Sequence, residues 1–65
     1  MPTIARPADD HLLTEQDLAE MLQVSLRTVR RWRWDRTGPR VVRVMRAPRY
    51  WRSDVVAWVE GQSGE

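Results

Sequence analysis

The 65-residue sequence predicts a small, mainly α-helical domain with one short β-hairpin, on three observations. Apolar residues recur at helical spacing in three stretches, opened by Thr14, Ser25 and Ser53. The first two stretches are separated only by Gln23-Val24-Ser25, too short for anything but a tight turn. The third observation is a β-branched and aromatic run after Gly38-Pro39, interrupted by Arg46-Ala47-Pro48, which reads as a strand, a turn and a strand. A chain this short makes one domain, burying about 60% of the surface it exposes when unfolded.

Each element has a local cause. Met1 to His11 is poor in apolar residues and contains Pro2, Pro7 and Asp9-Asp10, so residues 1–11 are expected to be a flexible leader. Thr14 caps a first helix over Glu15 to Leu22, Asp17 returns a capping box, and Leu13 and Leu18 occupy hydrophobic-staple positions. Ser25 caps a second helix over Leu26 to Trp34, with Val24 placed to staple onto Val29. Gly38-Pro39 stops it. Val41 to Val44 and Arg49 to Arg52 are the two strands, and only one of Tyr50 and Trp51 can face a core. Ser53 caps a third helix whose Val55, Trp58 and Val59 fall at i, i+3, i+4 before Gly61, and residues 61–65 form a frayed tail.

Charge is distributed very unevenly. Residues 1–26 carry −4, residues 27–52 carry +9 and residues 53–65 carry −3, within a net charge of +2. Ten of the eleven arginines lie between Arg27 and Arg52, and lysine is absent. Guanidinium groups engage phosphate oxygens and guanine edges in pairs of hydrogen bonds, so this density points to a nucleic-acid duplex. With Val29 facing the core, about 100° per residue puts Arg27, Thr28, Arg30, Arg31 and Trp34 on the outer face of the second helix. That is the placement of a recognition helix in a major groove. Arg33 falls nearer the core, its stem expected along apolar neighbours and its head reaching phosphate or solvent. Arg46 and Arg49 bracket the expected hairpin tip, where they can enter or straddle the neighbouring minor groove. Asp35 is positioned to pair with Arg31.

The series Leu13 to Ala19, Val24 to Trp32, Gly38-Pro39-Arg40, Arg49 to Val55 and Ala57-Trp58-Val59 resembles the MerR-like winged helix-turn-helix of the excisionase family, in particular small mycobacteriophage excisionases. The resemblance covers about residues 12–60. It implies a mainly α fold with a β-hairpin wing and a non-catalytic protein that binds repeated attachment-site DNA, bends it, and biases a phage integrase toward prophage excision. The small area that one such module buries on DNA predicts self-association or cooperative binding, and the expected DNA site comprises Thr14, Ser25, Arg27, Thr28, Arg30, Arg31, Arg46 and Arg49. The chain ends shortly after its third helix, unlike regulators that carry a long dimerisation helix, which favours excision over transcription control. Three positions depart from the family pattern. Gln23 stands where glycine is usual, and a left-handed residue there costs roughly 1 kcal/mol, so a reshaped turn is expected. Met45 also replaces a glycine, and Val56 replaces a charge; with Trp51 outward, Val56 and Trp51 offer a self-association contact.

Other chemistries find no residues. There is no cysteine for a disulfide or thiolate site, and the single histidine, His11, has no partner ligands nearby in sequence, so no metal or cofactor is expected. Tyr50 without a base or phosphate clamp is expected to be core, and no enzyme activity is expected. No run approaches the roughly 20 apolar residues of a membrane span, and a cytoplasmic protein is the default. Two alternatives share these features: a phage or plasmid transcription regulator of the same fold, and a protein-interaction adaptor that docks its arginine face on an acidic partner.

Overall fold

The computed structural model describes residues 6–62. In chain order the elements are β1 (Leu12–Leu13), α1 (Glu15–Leu22), α2 (Leu26–Asp35), β2 (Val42–Val44), β3 (Ala47–Trp51) and α3 (Arg52–Gln62). The strands form an antiparallel sheet of order β1-β3-β2, and the whole is a winged helix-turn-helix.

The caps of α1 and α2 form as their sequences dictate. Thr14 Oγ1 accepts the Asp17 backbone N–H at 3.0 Å while the Asp17 carboxylate accepts that of Thr14 at 3.1 Å, closing the capping box. Ser25 Oγ accepts the Thr28 N–H at 3.1 Å. Gln23 takes the left-handed conformation despite its side chain (φ 58°, ψ 44°), and the N–H of Val24 reaches back to the Ala19 carbonyl at 3.0 Å. The turn is thus kept rather than reshaped, with its cost borne by glutamine. α2 runs one residue beyond expectation to Asp35, and Arg36 (φ 59°) ends it in the same left-handed way.

Leu18, Val29 and Val55, all fully buried, bring the three helices together, and Leu13, Ala19 and Tyr50 complete the core. Each such aliphatic side chain removed from water contributes about 1.5–3 kcal/mol. Tyr50 is the inward member of its pair; burial is the main cause pushing its hydroxyl pKa up, with the Glu15 charge adding to it. Trp32 meets Trp58 with ring centroids 4.9 Å apart, fastening the end of α2 to α3. Among the described residues no helix is long and apolar enough to cross a membrane.

Four expectations change. The hairpin tip is Met45-Arg46, both with positive φ (50° and 75°), and not Arg46-Ala47-Pro48. Val44 pairs with Ala47 across this two-residue loop, so Pro48 opposite Arg43 belongs to a non-hydrogen-bonded pair. Its nitrogen turns away from β2, toward a side where β1 pairs only with Tyr50 and Trp51, and no ladder bond is lost. The second change is the leader, of which residues 6–11 are tied down while residues 1–5 lie outside the described part. Asp10 accepts from the Ser53 backbone N–H at 2.9 Å and from its hydroxyl at 2.7 Å, and Arg6 donates to Asp10 at 3.2 Å and to Ser53 Oγ at 3.0 Å. Third, Ser53 lies inside α3, and the carboxylate satisfying its N–H comes from Asp10 instead of from a Ser53 cap. Burial pushes the Asp10 carboxyl up, but the bonds from Ser53, Arg6 and His11 outweigh it and hold the group below its ordinary range. α3 also continues through Gly61 to Gln62, and the rest of the expected tail, residues 63–65, lies outside the described part.

Candidate nucleic-acid interface

Amphipathicity positions the site. Val29 points into the core from α2, so Arg27, Arg30 and Arg31 are exposed on the other side and Trp34 is 79% exposed. Together with Arg33 and Asp35 they line a shallow groove along the outer face of the helix. Arg27 makes no ion pair among the described residues. Arg31 Nε lies 3.6 Å from Asp35 with both side chains largely in solvent, a pairing weak enough to yield to phosphate. Arg30 Nε lies 3.4 Å from Glu15 Oε1.

Ser25 and Thr28 sit together at the start of α2, their hydroxyls 2.9 Å apart. No acidic residue occupies that first turn, so the helix dipole and its N–H groups favour an approaching anion. Thr14 lies at the start of α1, where its hydroxyl oxygen is engaged as a cap and the Asp17 carboxylate is adjacent; only its O–H remains to donate.

On the wing, Arg46 stands exposed at the tip. Arg49 does not bracket that tip: it lies inside β3 opposite Val42, half-buried, and donates to the Pro48 carbonyl at 2.8 Å. Trp51 shares its outward sheet face, and that ring is covered by the Arg6 guanidinium, 4.3 Å from the centroid. The chain thus covers part of the Trp51 surface expected to serve self-association.

Arg33 departs from expectation as well. Its Nε binds Glu15 Oε2 at 2.7 Å, so its head is held by the protein at the edge of the groove instead of standing free in solvent. Glu15 was not among the expected site residues; the long-range pairing has no local signature. Arg36, Arg40 and Arg43 were also missed. They flank the Gly38-Pro39 turn and line a cleft of about 640 Å³ between the end of α2 and β2, beside Trp32 and Trp34. Their membership of the ten-arginine segment was the one available signal.

The exposed cationic face of α2, on which Arg27 makes no ion pair among the described residues, adjoins the basic cleft through the shared Arg33 and Trp34, and the β-wing is tipped by Arg46. A family model described as a helix-turn-helix domain matches residues 12–63. The chain belongs to this helix-turn-helix domain family. No curated protein and no solved structure matches it. Family membership supports DNA binding, and α2 is the second helix of the helix-turn-helix, the helix that generally enters the major groove in such folds. No group of three or more metal-ligating side chains occurs among the described residues.

Proposed function

We propose that this helix-turn-helix domain is a non-catalytic accessory protein of excisionase type, which binds and bends attachment-site DNA and directs an integrase toward excision. In this reading α2 enters a major groove through Arg27, Thr28, Arg30 and Arg31, and Arg46 reaches the adjacent minor groove. The observation that carries it is the arrangement of three basic features in series: the exposed face of α2, the Arg36-Arg40-Arg43 cleft and the wing tip. Two neighbouring grooves of a duplex are separated by one phosphodiester strand, and a cleft lined with arginines is where that strand would pass. In this reading Ser25 and Thr14 meet the DNA backbone from the starts of α2 and α1, and Arg49 supports the wing. The likeness of residues 12–60 to small phage excisionases supports the excision role, while the module itself, which transcription regulators share, supports DNA binding alone.

A single module of this kind buries about 600–1,000 Å² on DNA, which is little for genomic specificity. Cooperative binding by neighbouring copies, or with an integrase, therefore accompanies this reading. The test is binding to an attachment-site duplex across a salt series. With about six phosphates neutralised, log affinity falls against log salt with a slope near −5, and Arg27→Ala weakens binding strongly. A flat salt dependence, or unchanged binding by Arg27→Ala and Arg30→Ala together, overturns the proposal.

A further inference from the structure

Besides the core, α1 and α2 are joined by an ion-pair contact that involves a residue of the recognition face itself. Glu15, at the first position of α1, has a side chain only 12% exposed and divides its carboxylate between two arginines of α2. Arg33 Nε sits 2.7 Å from Oε2 with its side chain 20% exposed, so this half is a fixed anchor. Arg30 Nε sits 3.4 Å from Oε1 with its side chain 57% exposed. A guanidinium has five N–H donors, and the contact to Glu15 is made through Nε. The two terminal nitrogens of Arg30 remain available on the exposed side. Their four N–H groups suit two acceptors side by side, and among base edges in the major groove only guanine offers that pair, O6 and N7. Adenine places a donor beside its N7 and would oppose one of them.

We propose that Glu15, held by Arg33, fixes the sequence preference of the site by aiming Arg30 end-on at a guanine, while the unpaired Arg27 serves as a phosphate contact. This rests on the placement of α2 in a major groove. Glu15 is a positioning residue: it touches no DNA, and its negative charge near the backbone lowers affinity for duplex in general. Removing that charge therefore moves general affinity and base discrimination in opposite directions, which loss of folding does not do.

The experiment begins with selection of duplexes from a library with a random 20-base-pair core, using the 65-residue chain. Each guanine of the selected duplex is then replaced singly by 7-deazaguanine, which lacks the N7 acceptor. The parent is expected to lose about tenfold in affinity at one guanine. Arg30→Ala is expected to be indifferent to that replacement. Glu15→Gln is expected to bind unselected duplex at least as tightly as the parent, with the 7-deazaguanine penalty reduced about threefold or more, because Arg30 must then be immobilised on binding. Glu15→Asp keeps the charge but shortens the reach, so the penalty falls while the salt slope stays; far-ultraviolet circular dichroism reports whether each variant is folded. Binding without dependence on any guanine N7, or an undiminished penalty in folded Glu15→Gln and Glu15→Asp, overturns the inference and leaves DNA binding intact. Failure of the parent to retain any duplex overturns the DNA-binding reading itself.

Discussion

Replacing the wing-tip residue Arg46 by glycine should strengthen the fold and weaken the function at once. Arg46 sits at φ 75°, where a side chain bearing Cβ costs about 1–2 kcal/mol relative to the ordinary helical region. Glycine removes that cost but adds about 0.5–1 kcal/mol of backbone entropy to the unfolded chain. The balance is a gain of about 0.5–1 kcal/mol. The Arg46 backbone carbonyl, which accepts from Arg43 at 3.4 Å, is retained, so no compensating bond is lost. For a domain with a urea m-value near 1 kcal/mol/M, the unfolding midpoint measured by tryptophan fluorescence should rise by about 0.5–1 M. On DNA the same change removes one cation, and the slope of log affinity against log salt should become shallower by about 0.9. Gln23→Gly provides the control: it relieves a comparable strain at φ 58° between the helices and should raise the midpoint similarly without touching the slope. A fall in stability for Arg46→Gly would refute the left-handed tip, and an unchanged salt slope would refute the approach of Arg46 to the duplex.

Two further outcomes follow from contacts inside the fold. The Asp10 carboxyl is held below its ordinary value of 3.8, so it stabilises the fold above that pH and its contribution disappears as acid protonates it. Arg6→Ala should abolish part of this acid-dependent loss and red-shift tryptophan emission by uncovering Trp51, whereas an identical acid transition and spectrum would contradict the clasp. Gly38→Ala places a Cβ 2.7 Å from Trp32 Cβ, which is not a free side-chain end. The expected loss is about 1–3 kcal/mol, read by the same urea titration, and unchanged stability would mean that Trp32 is not packed there.

The parts legible in the sequence were those with local causes. Thr14 with Asp17, and Ser25 with the Val24 and Val29 pair, announce the helix starts within a few residues, and the bounds of α1 follow from the first and from the short break at Gln23-Val24-Ser25. The inward turn of Val29 and the outward turn of Arg27, Arg30 and Arg31 follow from helical period alone. What was not legible depends on partners far away along the chain. β1 is two residues long and exists because Leu12 meets Trp51 and Leu13 meets Tyr50. The Asp10 contact with Ser53 spans 43 positions and turned part of an apparently disordered leader into the cap of α3. Glu15 reads locally as a favourable charge at a helix start, and nothing nearby indicates that it grips Arg30 and Arg33. The hairpin tip was misplaced because Pro48 is a strong turn residue, while Met45-Arg46 adopts positive φ without glycine, asparagine or aspartate to signal it.

The central claim is that α2 and the wing occupy adjoining grooves of one duplex. Dimethyl sulfate reports on both, since it methylates guanine N7 in the major groove and adenine N3 in the minor groove. Bound protein should protect guanine N7 at one position and adenine N3 about half a helical turn away. Arg30→Ala should release only the guanine and Arg46→Gly only the adenine. Protection confined to one groove, or both protections lost together with either variant, would contradict the account.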